Sequence, residues 1–337
     1  MLNSLRQSFS PVAYQALKIF CDLTSDDATL TLLREGVTPH ELVFPATPAP
    51  SVLSKSEFDP ALADTDIAFG QPDAAAVLSA PRLRWLHISS AGYTRYDTPG
   101  FHKAAAERKL IVTNSSSVYA EPCAEHVLAF MLANARNLPD ALKAGSSGDT
   151  SSWLRLRNTS TLLTGQRVLI LGFGNIGRHL VELLRPFGMQ VEALRRKPGA
   201  AQGVSMISRE QLPQALAKAD HVVNVLPASS SSTGFVSSAE FGSMKKGAAF
   251  YNIGRGATVD QEALLAALTS GRLAAAWLDV TEPEPLPSGH PLLSAPNCHI
   301  TPHIAGGHQN ESQMLVRHFL QNFRLFLEAG PLRDRIM

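Results

Sequence analysis

Cysteine is scarce. Cys21, Cys123 and Cys298 are the only three in 337 residues, and none belongs to a CxxC pair or to a Cys/His pattern with metal-ligand spacing. An odd, scattered set excludes a disulfide framework and a cysteine-based metal centre, and it fits a reducing compartment. An excess of charge of either sign is missing as well. Lys and Arg number 30 against 29 Asp and Glu, a formal charge of +1, which gives nucleic acid or an anionic membrane no electrostatic handle. No apolar run approaches the roughly 18 residues of a membrane span. Residues 1–15, with Arg6, Gln7 and Pro11, lack the apolar stretch and small-residue cleavage site of a secretion signal. The expectation is a cytoplasmic protein with no nucleic-acid, membrane or metal partner, long enough for two domains and acting on small molecules.

What the sequence does contain is alternation of short apolar runs with helical patterns, the signature of parallel sheets flanked by helices. Over the first part of the chain the strands are expected at Leu17–Cys21, Glu41–Phe44, Asp66–Phe69, Leu83–Ile88 and Leu110–Thr113. An apolar helix follows from Ala120 to Arg136, then a soft stretch, Lys143–Thr150, that reads as a surface loop ending near Trp153. That tryptophan either packs on its own domain or offers a dimer contact. Six further strands are expected at Arg167–Leu171, Gln190–Leu194, His221–Val225, Ala248–Ile253, Ala274–Val280 and His299–Thr301, which make a doubly wound nucleotide fold. A last helix, about Asn310–Leu327, has no place in that sheet and is expected to return to the first domain.

Between Arg167–Leu171 and a helix from Ile176 stands Gly172-Phe173-Gly174-Asn175-Ile176-Gly177. In a strand-turn-helix context the first glycine allows the tight turn, the second lets the backbone approach a pyrophosphate, and the third permits close packing. The N–H groups of Asn175 and Ile176 would face the phosphates. Arg195 stands 18 residues after Gly177, where an NAD-selecting fold carries an acid for the ribose 2′-hydroxyl. Arginine cannot accept that proton but binds a 2′-phosphate well. Arg195 and Arg196 therefore favour NADP(H), with NAD(H) as the second candidate. Glu192 falls three residues too early, inside the strand.

Farther on come Arg255, Glu284 and His303. Reduction of a 2-oxo acid needs a clamp on the carboxylate and a proton for the emerging alkoxide. Arginine suits the first task because its planar fork binds carboxylates bidentately and stays charged. Histidine suits the second, and a carboxylate beside it fixes its tautomer and favours the protonated ring.

Three long runs in order carry a resemblance: Lys246-Gly-Ala-Ala-Phe-Tyr-Asn-Ile-Gly-Arg-Gly-Ala-Thr-Val-Asp-Gln-Glu-Ala-Leu, Leu278-Asp-Val-Thr-Glu-Pro-Glu-Pro-Leu and Pro296-Asn-Cys-His-Ile-Thr-Pro-His-Ile-Ala-Gly. On them the chain resembles the D-isomer-specific 2-hydroxyacid dehydrogenases, glyoxylate/hydroxypyruvate reductases among them. The resemblance implies an α/β fold in which a Rossmann-type coenzyme domain, residues 119–304, is inserted in a flavodoxin-like substrate domain, residues 1–118 and 305–337. It also implies a homodimer built on the coenzyme domain and a small 2-oxo or 2-hydroxy acid as substrate. Matched by position, the family's arginine falls on Arg255, its histidine on His303, and its glutamate on Glu284 rather than Glu282. Asp279 would lie near the nicotinamide amide, and Leu226, Pro227, Ser232, Ile253 and Gly306 match positions lining the coenzyme cleft. The family's substrate loop corresponds to Ser90-Ala91-Gly92-Tyr93-Thr94, whose Ala91 and Gly92 N–H groups would share the carboxylate with Arg255. Thr94 departs from the usual aspartate, which leaves a backbone role for the loop. His126 reads as a packed domain-boundary residue.

A dinucleotide-sensing binding protein or corepressor of the same fold is the competing reading. Such proteins carry extra partner-binding segments, and no disordered tail is evident here to hold them. A formate dehydrogenase would be expected to place glutamine beside the histidine, and Glu284 argues against it.

Overall fold

The structure, a computed structural model, describes residues 16–47, 58–146, 149–195 and 203–337. They divide into two compact units, one formed by the chain up to Ser115 together with Ser312–Met337, the other by Ser116–Glu311.

The first unit holds five strands, β1 (Lys18–Cys21), β2 (Glu41–Val43), β3 (Ile67–Gly70), β4 (Trp85–Ile88) and β5 (Ile111–Thr113). All pairs are parallel and the order is β2-β1-β3-β4-β5, the flavodoxin-like order. The helices between them are α1 (Asp27–Val37), α2 (Ala74–Ser79) and α3 (Pro99–Glu107). Each starts on a side chain that takes up a free N–H of the first turn: Asp26, Asp73 and Thr98.

The second unit begins with α4 (Ala120–Ala135), α5 (Leu138–Ala144) and α6 (Thr150–Thr159). Its sheet has seven parallel strands, β6 (Arg167–Leu171), β7 (Gln190–Leu194), β8 (Ser205–Ile207), β9 (His221–Asn224), β10 (Ala248–Asn252), β11 (Leu273–Leu278) and β12 (Cys298–Ile300), in the order β12-β11-β10-β9-β6-β7-β8. The helices α7 (Asn175–Leu184), α8 (Leu212–Leu216), α9 (Ser238–Ser243) and α10 (Gln261–Thr269) complete it. Strands β6, β9 and β10 each have a buried apolar centre, Val168–Leu171, Val222–Val223 and Ala248–Tyr251, because helices cover both faces of a parallel sheet.

Helix α11 (Glu311–Leu327) packs its apolar stripe in the first unit. Phe319 stacks on Phe69 with ring centroids 4.4 Å apart and on Trp85 at 5.3 Å. The tail behind it runs along β5, with Val112 N donating to Met337 O and Ile336 N to Val112 O, which covers an exposed sheet edge.

Two features differ from the expectations. The edge strand β8 was not foreseen, since three residues are too few to show a period. The Lys143–Thr150 stretch is shorter as a loop than expected: α5 runs through Ala144 and α6 begins at Thr150, because Asp149 accepts from the N–H groups of Ser151 and Ser152. Trp153 therefore sits on a helix, 57% exposed, with the Arg157 guanidinium over its ring. Among the described residues no helix is long and apolar enough to cross a membrane.

Candidate active site

The site is laid out by sheet register. Leu171 pairs with Leu194 and Asn224, Asn224 with Asn252, Asn252 with Leu278, and Leu278 with Ile300. One residue beyond that line, at the carboxyl ends of the strands, stand Arg195, Gly172, Val225, Ile253, Asp279 and Thr301. Ligands of open parallel sheets bind at this end.

Gly172 has φ +95°, and a Cβ there would meet Leu226 Cδ2 at 3.2 Å and Val225 O at 3.3 Å. Its N–H donates to Leu194 O at 3.1 Å, which brings the following residue, the exposed Arg195, beside the glycine turn. Arg196 lies outside the described residues. Gly174 is different: a Cβ there would meet nothing within 4 Å, so the turn has open space over its middle glycine, at the N-cap of α7. Phe173 is buried under the turn, and Asn175 and Ile176 form the first residues of α7. Gly177 sits against Gly172 O and the Phe173 ring. A cradle at a helix N-terminus with room for phosphate oxygens fits a dinucleotide.

Leu226 and Pro227 lie in the loop after β9, and the Ser232 hydroxyl folds that loop back on itself by donating to Pro227 O at 2.5 Å. Gly306 lies against Tyr119, whose Cδ1 is 2.8 Å from where a Cβ would be.

Arg255 is held from below. Asn224, Asn252 and Thr258 are fully buried polar residues. The Asn224 amide donates to Asn252 Oδ1 at 3.0 Å and to Thr258 Oγ1 at 2.7 Å, and the Thr258 hydroxyl donates to Arg255 O at 2.6 Å. Glycine is required on both sides, because a Cβ on Gly254 would stand 2.6 Å from Leu226 O and one on Gly256 2.0 Å from Thr281 O. The guanidinium donates to Gly254 O at 2.7 Å. Burial lowers its pKa, and the nearby Cys123 and Glu284 oppose that shift. An arginine starts so high that it stays charged.

His303 and Glu284 meet: Nδ1 and Oε1 are 2.6 Å apart, with side chains 25% and 37% exposed. His303 has φ +53°, which costs about 1 kcal/mol for an L-residue, and the surrounding hydrogen bonds impose it. The Asp279 carboxylate accepts from Ile304 N and Ala305 N, both at 2.9 Å, and from the Thr301 hydroxyl at 2.5 Å. The Asp279 carbonyl accepts from His303 N at 3.0 Å. Asp279 thus wraps the histidine segment around itself. Sequence reasoning did not find this function, nor those of Asn224, Asn252 and Thr258. Asparagine and threonine beside an Arg-Gly pair were the only signal.

In the first unit, the loop after β4 is fixed through its carbonyls. Ser90 O accepts from Ser115 N, Ala91 O from the Asn114 amide at 2.8 Å, and Gly92 O from the Ser90 hydroxyl at 2.6 Å.

Known proteins similar to this chain are numerous. A family profile described as D-isomer specific 2-hydroxyacid dehydrogenase, NAD binding domain, matches residues 128–305. The chain is 35% identical to human glyoxylate reductase/hydroxypyruvate reductase over 232 residues, 68% of this chain and 71% of that one. A solved protein of Thermus thermophilus superposes with a TM-score of 0.74 at 28% identity, covering 95% of this chain and 100% of the other. A D-isomer specific 2-hydroxyacid dehydrogenase from Xanthobacter autotrophicus Py2, solved with NADPH and MES, gives a TM-score of 0.73 at 25% identity over 96% and 98% of the two chains. The sheet orders, the glycine turn and these matches agree, and the chain belongs to the D-isomer specific 2-hydroxyacid dehydrogenase family.

Proposed function

We propose that this protein reduces a small 2-oxo acid of the glyoxylate or hydroxypyruvate kind to the D-2-hydroxy acid, with NADPH preferred over NADH. The observation that carries the reading is the 2.6 Å contact of His303 with Glu284, within electrostatic reach of Arg255. Relatives named as glyoxylate/hydroxypyruvate reductases support the substrate class.

Each residue has a task in this reading. Glu284 accepts from Nδ1–H of His303, which leaves Nε2 to hold the proton and deliver it to the alkoxide oxygen. Arg255 binds the carboxylate and polarises the carbonyl. We assign the backbone of Ser90, Ala91 and Gly92 to the substrate as well. A nicotinamide dinucleotide, when bound, supplies the two electrons of the reduction. Gly172, Phe173, Gly174, Asn175, Ile176 and Gly177 would hold its pyrophosphate, and Leu226, Pro227, Ser232, Ile253, Asp279 and Gly306 would line its cleft. Arg195, beside the glycine turn, would take the 2′-phosphate, and Arg196 is assigned with it from sequence alone. The NADPH bound to the Xanthobacter relative supports that preference.

We also propose a homodimer built on the second unit. Leu138 and Leu142 are exposed on α5, 44% and 79%, Trp153 and Leu154 on α6, 57% and 44%, and Leu162 just after it, 67%, and such a concentration of apolar surface is typical of an interface. The thiols of Cys21, Cys123 and Cys298 are free, in keeping with the cytoplasm as the location.

Initial rates with glyoxylate, hydroxypyruvate and pyruvate, each with NADPH and NADH, test the proposal. It predicts turnover of at least one acid and a higher kcat/KM with NADPH. No turnover of any acid would overturn it, and equal kcat/KM for the two coenzymes would remove the coenzyme preference.

A further inference from the structure

His126 lies on α4, with its side chain 20% exposed and its ring edge-on to Phe130 at 4.3 Å. Its Nε2 is 3.3 Å from Thr301 Oγ1 and 3.8 Å from Asp279 Oδ1. Thr301 Oγ1 in turn is 2.5 Å from Asp279 Oδ1.

The proton positions follow from these distances. A threonine hydroxyl has one proton and two lone pairs, and an ionised carboxylate only accepts. Two oxygens at 2.5 Å must share a proton, so the hydroxyl proton belongs to the contact with Asp279. What Thr301 offers His126 is a lone pair, and the imidazole must donate to it from Nε2. Asp279 is the charged group facing the ring. Burial lowers the pKa of His126 while Asp279 opposes that shift, and the ring is neutral at neutral pH.

We infer that His126 is a positioning residue: its Nε2–H commits the Thr301 hydroxyl to Asp279, and Asp279 fixes the backbone that carries His303. The last link is visible in the hydrogen bonds around Asp279: its carboxylate receives the N–H groups of Ile304 and Ala305, the two residues that follow His303, and its backbone carbonyl receives that of His303 itself. Without the imidazole the hydroxyl is free to rotate and the carboxylate loses its best-placed donor. The left-handed backbone at His303 then loses part of what imposes it. The kinetic half of this inference rests on the reading of His303 as proton donor. The tautomer stands on the hydrogen bonds alone.

Two measurements test it separately. Nitrogen-15 NMR of the histidine rings in the full protein should show His126 as the Nε2–H tautomer at neutral pH, with its Nε2 shift altered in Thr301→Val. The Nδ1–H tautomer, or a shift unmoved by Thr301→Val, would overturn the hydrogen-bond chain whether or not the protein is a reductase. In the reductase assay, His126→Leu should lower kcat roughly three- to tenfold, the worth of one hydrogen bond. His126→Gln, which keeps a donor, should restore most of that loss. The double variant His126→Leu/Thr301→Val should be no slower than Thr301→Val alone. Equal losses in the Leu and Gln variants would mean that His126 only packs against Phe130, and would overturn the positioning role. Absence of wild-type turnover would instead fault the functional reading and leave the NMR result to decide the tautomer.

Discussion

Replacing Glu284 by glutamine keeps the shape of the site and removes one charge. The substitution acts on a 2.6 Å hydrogen bond to His303 Nδ1. A charge-assisted bond contributes about 1.5–3 kcal/mol when well shielded. Here the two side chains are 25% and 37% exposed, and solvent screening brings the expectation down to about 1–2 kcal/mol. If that bond holds the imidazole for proton delivery, kcat should fall by about 5- to 30-fold. KM for the oxo acid should stay nearly constant, because Arg255 and the Asn224–Asn252–Thr258 group beneath it are untouched. Glu282 supplies the control. It belongs to the same Glu-Pro-Glu-Pro run, and its backbone N–H and carbonyl are bound by the Gln261 side chain. Glu282→Gln should leave kcat unchanged. Initial rates of NADPH oxidation with hydroxypyruvate measure both variants. The reasoning is refuted if Glu284→Gln retains full kcat, or if Glu282→Gln loses as much.

Three further outcomes follow from other parts of the structure. Arg195→Asp should shift coenzyme preference toward NADH by about 10- to 150-fold in the ratio of kcat/KM values, the worth of one charge-assisted hydrogen bond to the 2′-phosphate; an unchanged ratio would remove Arg195 from the coenzyme site. Phe319→Ala should destabilise the first unit by about 3–5 kcal/mol in urea unfolding, since the ring is fully buried between Phe69 and Trp85, and a loss below about 1 kcal/mol would show that the α11 seam can collapse. Burial pushes His221 down to about 4, so the unfolded chain takes up its proton near the ordinary histidine value of about 6.5 and the folded chain does so only below that. The stability this histidine confers is therefore complete above about pH 6.5 and falls as pH drops through the window toward 4, by about 2 kcal/mol at about pH 5; His221→Gln should make urea midpoints less sensitive to acid, and an unaltered pH dependence would contradict the assignment.

The two sheets were legible because burial of the inner strands leaves short apolar runs between polar turns. The predicted bounds of Gln190–Leu194 and Arg167–Leu171 coincide with β7 and β6. Strand β8 was illegible for the opposite reason, being three residues of Ser-Met-Ile that pair at an edge. Residues of the candidate site that differ most from a structural background, such as Gly172 and His303, stood out in sequence. The residues that hold them did not. Asn224, Asn252, Thr258 and Thr301 act through hydrogen bonds between strands far apart in sequence, and no spacing within one segment encodes those. His126 read as a packing residue because its partners, Thr301 and Asp279, reach it only through the fold of the second unit.

The central claim is that His303 delivers the proton in a reduction for which the rest of the site binds and orients. It is tested most directly by comparing wild type with His303→Gln, measuring kcat for hydroxypyruvate and, by fluorescence titration, NADPH affinity. The account predicts a loss in kcat of about 100-fold or more with NADPH affinity retained, and D-glycerate as the wild-type product. A variant that keeps more than about a tenth of wild-type kcat, against the larger loss expected of a general acid, would contradict it.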